Sequence, residues 1–455
     1  MDARFVKTIT DAKSIIEDRG LSHVKVGVFD IDGVLRGKYL SKEKFFGILE
    51  TGFGFCDVVL GWDVNDQLYD RESYTGWASG YADAKVVTVI DSCRELPMED
   101  NMLFFLLEFG DRAVEVCPRQ TLKKVIARAA DMGLTATAAC EFEFFLFNET
   151  PKSVREKNYT DLENFTPGFF GYSMLRASVE NDFYEQLLAL CSEMDMEIEG
   201  LHTETGPGVL EAAIAYDEVL KAADKGALFK TFTKILAQKN ELMATFMAKW
   251  SPDYPGQSGH IHLALVNKDG GSLFFDEAKE HNISDAMRHF IGGQQKLMPE
   301  LLAMVAPTVN SYSRMIPGFW APTDASWGVE NRTCALRVIP GSAKSQRVEY
   351  RIAAADMNPY IAIAAALGSG LWGIENKIEP EAAIVGNSYE QDMPDGLALP
   401  QTLWEAAQAL KKSSAARELF GDAFVDHYAI TREWEEREFR KAITNWELER
   451  YFEII

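Results

Sequence analysis

The stretch from Asn331 to Tyr360, NRTCALRVIPGSAKSQRVEYRIAAADMNPY, decides how the rest of the chain is interpreted. Alternating residues around Leu336 predict a strand, and the Pro340-Gly341 step ends it. The segment RVEYR then predicts a second strand. Side chains two positions apart on a strand point to the same face. One face of this second strand therefore carries Arg347, Glu349 and Arg351.

The arginines of this strand pair predict a site that binds an anion together with a metal ion. Guanidinium groups bind phosphate and carboxylate oxygens through paired hydrogen bonds. A solvated strand face with paired charges is the alternative that this stretch alone leaves open. The charged residues concerned are Arg332, Arg337, Arg347, Glu349 and Arg351.

Composition limits the classes of function. The chain has 455 residues, of which 47% are hydrophobic and 25% charged, as in an ordinary globular protein. A net charge of −23 argues against nucleic acid or an anionic membrane as a partner. Scattered single cysteines and a charged, amphipathic first segment predict reduced thiols and a cytoplasmic location. The longest apolar run, from Tyr360 to Ile374, is too short to span a bilayer and predicts a core helix that Asn358-Pro359 begins.

The chain divides into two predicted domains. Residues 1–110 predict a small sheet-rich unit that starts with a helix over 3–18, with Phe5 and Ile9 on its buried face. A hairpin over 24–39 turns at Asp32-Gly33, and strands follow at 86–90 and 103–109. Residues 111–117 predict a hinge, and Pro118 begins the next helix. Residues 111–455 predict alternating strands and long helices, the latter around 180–194, 218–247, 284–303 and 431–452.

A strand over 135–147, TATAACEFEFFLF, predicts a cation site. Glu141 and Glu143 share one face of this strand, and Phe142 and Phe144 take the other. Two glutamates on one strand face usually point into solvent. Their aromatic neighbours argue against solvent here, because burying unpaired carboxylates is costly unless a bound cation compensates them.

Two further segments add candidate ligands. In HTETGPGVLEAAI, a Gly-Pro-Gly turn folds the chain back and lets Glu204 and Glu211 reach one point, although a hairpin with exposed acidic ends gives the same pattern. In GQSGHIHLAL, His260 and His262 point to the same face of a strand. The histidine pair alone leaves a metal role and a structural role equally open.

Together these segments supply five carboxylates and an imidazole. Such a set suits two hard divalent ions, Mg²⁺ or Mn²⁺, better than zinc, which prefers thiolates. With arginines nearby the predicted reaction is phosphoryl transfer, in which metal ions bridge nucleotide oxygens and arginines stabilise developing charge. The candidate ligands are Glu141, Glu143, Glu204, Glu211, His260 and Glu349.

Motifs in a shared order make the chain resemble the glutamine synthetase family, type I branch, over nearly its full length. They are EFEFFLF, the ExGPGxxE segment, ATFMAKW, HIHLAL, NSYSRMIPGFWAP, NRTCALR, RVEYR and MNPYIAIAAAL. The resemblance implies an α+β fold, with an N-terminal β-grasp domain (1–110) and a catalytic domain (111–455) whose antiparallel strands form a funnel surrounded by helices. It also implies a homo-dodecamer of two hexameric rings with active sites shared between neighbouring subunits.

The resemblance further implies a role for each candidate residue. Glu143, Glu204 and Glu211 would hold one metal ion. Glu141, His260 and Glu349 would hold a second ion between the nucleotide phosphates, and a third ion would arrive with the nucleotide. Arg332 and Arg337 would clamp phosphate, and Arg314, Arg351 and Gly256 would bind glutamate. The implied nucleotide contacts are Tyr216, His262, Arg332, Lys344 and Arg347.

The implied reaction phosphorylates the γ-carboxylate of L-glutamate with ATP, and a nitrogen nucleophile then displaces phosphate. Ammonia-using members carry a flap glutamate after the PGY or PGF step, where this chain has Trp320. The family's DGSS segment is also missing, so Asp57 or Asp63 would have to replace its aspartate. Losing two anions and gaining an indole favours an organic amine over ammonium. The chain is most similar to the γ-glutamylamine synthetases, the branch that includes γ-glutamylputrescine synthetase, whose PTxASWG flap reads PTDASWG here.

Three hypotheses follow. The favoured one is a ligase that joins glutamate to an alkylamine or polyamine. The second is a glutamine synthetase that uses ammonium, in which another carboxylate replaces Trp320. The third is a catalytically silent structural relative, against which the complete ligand set argues. Trp320 is also open to interpretation as a packing aromatic without effect on the substrate, and Tyr389 is interpreted as an ordinary loop tyrosine.

Overall fold

The structure is a computed structural model, and it describes residues 1–71, 74–394 and 396–455. Its strands form two curled sheets with helices packed around them, which confirms the predicted α+β class. Among the described residues, none of the helices combines the length and the apolar character that a membrane crossing needs. All the cysteines are free thiols, and most of them are buried.

The first sheet uses strands from the N-terminal quarter of the chain. Its strands lie in the order β2-β1-β6-β4-β3, with β5 beside β6. The predicted hairpin is present as β1 and β2, and β1 also runs parallel to β6. The strands are β1 (His23–Phe29), β2 (Leu35–Ser41), β3 (Phe53–Cys56), β4 (Asp83–Thr88), β5 (Arg94–Glu95) and β6 (Leu103–Phe109).

The first helix, α1 (Ile9–Asp18), is shorter than the sequence predicts. The Thr8 side chain caps it by accepting a hydrogen bond from the backbone N–H of Asp11, and the Asp11 carboxylate accepts one from the backbone N–H of Thr8. Phe5 lies before this cap in a short 3-10 turn, and its side chain is exposed. The predicted helix start and the predicted burial of Phe5 are therefore wrong.

The second sheet holds the predicted site. Its strands lie in the order β13-β14-β15-β12-β7-β9-β8, with β10 and β11 beside the long central strand β7. Most neighbours in this sheet are antiparallel, and β13 and β14 are parallel. The strands are β7 (Leu134–Phe147), β8 (Ile198–Thr203), β9 (Val209–Ile214), β10 (Asp217–Glu218), β11 (Met243–Thr245), β12 (Gly259–Asn267), β13 (Trp327–Val329), β14 (Leu336–Ile339) and β15 (Arg347–Tyr350).

The remaining helices follow the predictions in part. The buried helix α10 begins where predicted, because Asn358 caps it and Pro359 takes its first position. The predicted helix over 431–452 is in fact two helices, since Thr444 caps a new one. The helices are α2 (Lys42–Ile48), α3 (Pro118–Asp131), α4 (Pro151–Glu156), α5 (Met174–Val179), α6 (Asn181–Glu193), α7 (Val219–Lys239), α8 (Asp285–Leu301), α9 (Val309–Arg314), α10 (Pro359–Asn376), α11 (Leu403–Lys412), α12 (Ser414–Phe420), α13 (Asp422–Phe439) and α14 (Asn445–Tyr451).

The main core lies between the inner face of β7 and the helices α7 and α10. Phe142 and Phe144 point into it and pack against Phe229 of α7, at ring-centroid distances of 6.1 and 6.0 Å. A second core is built from residues between 3 and 117. Because Phe142 and Phe144 of β7 point into the main core, the alternate residues Glu141 and Glu143 point to the opposite face of the strand.

Helix α13 joins the C-terminal part of the chain to the N-terminal sheet. The buried Arg432 pairs with Asp32, which is 400 residues away in sequence. The indole Nε1 of Trp434 donates a hydrogen bond of 3.0 Å to Asp63. Because the Arg432 and Asp32 side chains are almost entirely removed from water, each compensates the charge of the other.

Candidate active site

One cavity of about 660 Å³ opens at the second sheet and collects most of the predicted site residues. We call it the carboxylate cavity. All six predicted metal ligands line it, together with the four arginines predicted to bind phosphate or glutamate, and with Gly256 and Trp320. These residues are Glu141, Glu143, Glu204, Glu211, Gly256, His260, Arg314, Trp320, Arg332, Arg337, Glu349 and Arg351.

The register of the strands sets which side chains face each other. Glu143 of β7 lies directly opposite Glu211 of β9, and Glu141 lies opposite His260 of β12. Arg337 of β14 lies opposite Glu349 of β15. Facing side chains on antiparallel strands have their Cβ atoms about 5 Å apart. Residues that are far apart in sequence are therefore brought side by side in one cavity.

Glu143 and Glu211 form the first cluster of carboxylates. Burial and the charge of Glu211 raise the pKa of Glu143 to about 8. The backbone N–H of Ser258 donates a hydrogen bond of 2.6 Å to Glu143, which compensates only part of this repulsion. Glu204 lines the same region and accepts from the backbone N–H of Thr205. Carboxylate oxygens this close together suit a hard divalent cation, because the cation would neutralise the repulsion between them.

His202 is a residue of this cluster that the sequence prediction misses. Its Nε2 lies 3.2 Å from a carboxylate oxygen of Glu211, and its Nδ1 lies 3.1 Å from the carbonyl oxygen of Thr203. Its ring packs on Tyr172, another residue that lines the carboxylate cavity, at a centroid distance of 4.4 Å. Burial lowers the pKa of His202, but the contact with Glu211 outweighs it and raises the value to about 8.

Glu349 is the centre of the second cluster. His260 Nδ1 lies 3.3 Å from Glu349 and 3.5 Å from Glu141, and Arg337 donates to Glu349 at 3.0 Å. Burial opposes ionisation of Glu349, yet Arg351 and then His260 hold its pKa at about 2. Glu349 is therefore held as an anion, and each of its oxygens accepts a hydrogen bond from an arginine.

His260 and His262 both lie beside the carboxylates of the second cluster. Donor atoms of Glu141, His262 and Glu349 lie within 4.8 Å of one another, which also suits a metal ion. However, Arg347 Nε donates a hydrogen bond of 3.2 Å to His262 Nδ1. Because arginine can only donate, the neutral His262 ring carries its proton on Nε2, and a protonated nitrogen does not bind metal. The bond from Arg347 therefore argues against His262 as a ligand and leaves His260 as the candidate imidazole beside Glu141 and Glu349.

A second, smaller cavity of about 300 Å³ adjoins the first one. We call it the basic cavity. It brings together four residues predicted to contact the nucleotide, and it shares Glu141 with the carboxylate cavity. Arg332, the remaining predicted nucleotide contact, lines the carboxylate cavity instead. The four residues are Tyr216, His262, Lys344 and Arg347.

Arg314 and Arg351 form a fixed pair at the base of the carboxylate cavity. Arg314 donates to the carbonyl oxygens of Ile352 and Arg351 at 3.0 and 3.1 Å, which fixes the direction of its guanidinium. Arg351 donates to Glu349. A side chain at Gly256 would lie 2.6 Å from the aliphatic stem of Arg314, so glycine is required for this close approach.

The loop over residues 315–326, which we call the flap, forms the remaining wall. Trp320 of the flap has a positive φ of 62° and is 57% exposed. Beside it, Phe319 packs under Lys249, whose Nζ lies 4.5 Å from the ring centroid. Neither Asp57 nor Asp63 is among the described residues that line the cavity. Asp57 accepts from Thr75.

Comparisons with known proteins show the family to which the chain belongs. Residues 115–451 match the family model of the glutamine synthetase catalytic domain. The chain is 44% identical to type-1 glutamine synthetase 2 of Dictyostelium discoideum, over 95% of this chain and 84% of the relative. It is 35% identical to glutamate–isopropylamine ligase of a Pseudomonas species, over 99% of each chain.

A solved structure of GmaS without ligand has the same fold. The TM-score is 0.84 at 25% sequence identity, and the match covers 98% of this chain and 100% of that one. The family match therefore extends from the sequence motifs to the arrangement of both sheets. The chain is a member of the glutamine synthetase family, an ATP-dependent ligase of the type I branch.

Proposed function

We propose that the protein joins the γ-carboxylate of L-glutamate to an organic primary amine and so produces a γ-glutamylamide, ADP and phosphate. The observation that carries this proposal is the position of Trp320, which lines the carboxylate cavity from the flap. An incoming nucleophile would meet an indole there, and an indole attracts the hydrocarbon and cationic parts of an amine.

The two carboxylate clusters are proposed to hold two ions of Mg²⁺ or Mn²⁺. Glu143, Glu204 and Glu211 would bind one, and Glu141, His260 and Glu349 would bind the other. When bound, these ions would neutralise the negative charge of the phosphates and of the reacting carboxylate. Loading the first cluster would also require Glu143 to lose the proton that burial and Glu211 favour.

The arginines are proposed to position the substrates and to stabilise charge. Arg314 and Arg351 would hold the carboxylates of glutamate so that its γ-oxygen faces the terminal phosphate of ATP. That oxygen attacks phosphorus, the bond to ADP breaks, and γ-glutamyl phosphate forms. Arg332 and Arg337 would stabilise the transferred group. The basic cavity supports a nucleotide site beside this reaction, because Lys344 and Arg347 line it together with Glu141, which also lines the carboxylate cavity.

The second step is proposed to occur beside the flap. The amine nitrogen attacks the γ-carbonyl carbon, phosphate leaves, and the amine loses a proton. The 35% identity to glutamate–isopropylamine ligase supports an organic amine. The 44% identity to type-1 glutamine synthetase 2 supports the second candidate, ammonium. Polyamines fall within the proposed class of amines.

We further infer a cytoplasmic dodecamer in which residues 1–110 form a β-grasp domain and residues 111–455 form the catalytic domain. Large apolar side chains near the C-terminus support assembly, because exposed apolar patches mark interfaces. These exposed apolar residues are Phe439, Ile443, Trp446, Leu448, Tyr451, Phe452, Ile454 and Ile455.

Asp63 accepts hydrogen bonds from Trp434 and from the backbone N–H groups of Asn65 and Gln67, so it supports the structure of its loop.

Phosphate release from ATP and L-glutamate, measured with a panel of nucleophiles, tests the proposal. The panel contains ammonium, alkylamines, arylamines and polyamines, and mass spectrometry identifies each product. A kcat/KM that is higher for an organic amine than for ammonium supports the ligase proposed here. A preference for ammonium would establish the second candidate, and no turnover with any nucleophile would favour a silent relative.

A further inference from the structure

Tyr389 contacts the flap at the residue that follows Trp320. Its hydroxyl group donates a hydrogen bond of 2.9 Å to the carbonyl oxygen of Ala321. Ala321 is buried, whereas Trp320 is largely exposed. The peptide bond between these two residues therefore joins a fixed point to the indole that lines the carboxylate cavity.

Ser388, the residue before Tyr389, is hydrogen-bonded to Thr333, the residue after Arg332. Ser388 Oγ donates a hydrogen bond of 2.6 Å to the carbonyl oxygen of Thr333, and Thr333 Oγ1 accepts one of 3.0 Å from the Ser388 N–H. Thr333 directly follows Arg332, which lines the carboxylate cavity. Tyr389 and Ser388 together thus connect the residue after Trp320 with the residue after Arg332.

The connection is reinforced by residues 381–394 and 396–398, which we call the strap. The backbone N–H of Ala325 donates to the carbonyl oxygen of Leu397 at 2.9 Å. The indole of Trp327 donates to the carbonyl oxygen of Glu381 at 2.6 Å. These bonds hold the C-terminal end of the flap, and Tyr389 holds a point nearer to the cavity.

We propose that Tyr389 is a positioning residue that fixes Trp320 relative to Arg332 and thereby sets the selectivity for the amine. The kinetic test of this inference rests on the proposed function, because it measures the use of an organic amine. Without the hydroxyl group, Ala321 loses its link to the strap, and the indole samples positions that enclose the amine less well. The Ser388–Thr333 bonds beside Arg332 and the strands that carry the metal ligands do not involve the Tyr389 hydroxyl group, so binding of ATP and the metal ions should be retained without it.

The test replaces Tyr389 with phenylalanine and compares it with a matched control. Tyr428 is that control, because its hydroxyl group also donates to a backbone carbonyl, Ala303, at 2.9 Å, and it lies on α13 outside both cavities. For Tyr389→Phe we expect KM for the amine to rise about fivefold, the usual effect of one neutral hydrogen bond. KM for ATP should stay within about twofold.

Tyr428→Phe should lower thermal stability without changing the KM for the amine. A Tyr389→Phe variant with an unchanged amine KM and an unchanged ratio of amine to ammonium use would overturn the inference. So would equal changes in the KM for amine and for ATP in this variant, because those would indicate a general loss of structure.

A measurement that does not depend on turnover separates this inference from the proposed function. Hydrogen exchange of residues 316–327 should be faster in Tyr389→Phe than in the parent or in Tyr428→Phe. Faster exchange in a protein that uses no organic amine would refute the proposed function and still support the positioning role. Identical exchange in all three proteins would overturn that role.

Discussion

The carboxylate cavity has two walls of different construction. One wall consists of β7, β9, β12 and β15, and its charged side chains are fixed by strand register. The other wall is the flap, which has few backbone hydrogen bonds of its own and depends on the strap. Loops held on a rigid scaffold are where related proteins vary function. Under the proposed function, the strands carry out the phosphoryl transfer that the family shares, and the flap selects the nucleophile.

Removing a charge from the strand wall should have the largest effect. We expect Glu349→Gln to reduce kcat about a thousandfold, because it removes the anion that contacts Arg337, Arg351 and His260. Steady-state phosphate release measures this loss, and calorimetric titration with Mn²⁺ should show weaker binding. Glu379→Gln, an exposed change outside both cavities, is the control. Normal activity in Glu349→Gln would contradict the assignment of this wall.

A change in the flap should alter selectivity rather than overall rate. We expect Trp320→Glu to raise the ratio of ammonium use to amine use about tenfold, because a carboxylate attracts the small cation. Both residues have a Cβ atom, so the strain of the positive φ stays the same. Competition between ammonium and the preferred amine measures the ratio, with Trp320→Phe as the control. An unchanged ratio would show that the indole only packs.

A half-buried lysine, Lys230 of α7, should make stability depend on pH. Burial and then Lys234 lower the pKa of Lys230 from 10.5 to about 7. Between these values the unfolded chain binds more protons than the folded one, so the free energy of unfolding should rise with pH from about 7 to about 10.

We expect Lys230→Met to flatten this rise, as measured by urea unfolding at several pH values. Lys221→Met, at an exposed position on the same helix, should leave the slope unchanged. If the free energy of unfolding of Lys230→Met rose with pH as steeply as that of the parent protein, the titrating group would be a different residue.

The smallest effect should come from the outer partner of Arg337. Glu330 contacts Arg337 from outside the carboxylate cavity, and its side chain is 49% exposed. Exposed ion pairs contribute little, so Glu330→Gln should raise the KM for ATP no more than about threefold. A tenfold rise, measured at constant ionic strength, would mean that Glu330 rather than strand register fixes Arg337.

The same two walls explain what the sequence can and cannot predict. Glu141, Glu143, His260 and His262 follow from the two-residue period of a strand, so sequence predicts the faces correctly. His202 is missed because its contact with Glu211 depends on the register of β8 against β9. Tyr389 is interpreted as an ordinary loop tyrosine because its partner lies 68 residues away and the contact is to a backbone carbonyl.

Errors at helix ends have a local cause. Thr8 and Asp11 form a cap that apolar periodicity alone does not reveal, so Phe5 is wrongly included in the helix. Thr444 likewise starts a helix of its own within one predicted apolar pattern. Side-chain caps determine where helices begin, and a count of apolar positions determines only which face is buried.

The pairing of Asp32 with Arg432 has a consequence for synthesis. A ribosome adds about 5 to 20 residues per second, so roughly 20 to 80 seconds separate the emergence of the two residues. During that interval Asp32 lacks the guanidinium that accompanies it in the finished protein. A nascent chain that stops before residue 432 should therefore be cleaved by protease within its first sheet, whereas a complete and released chain should resist cleavage there.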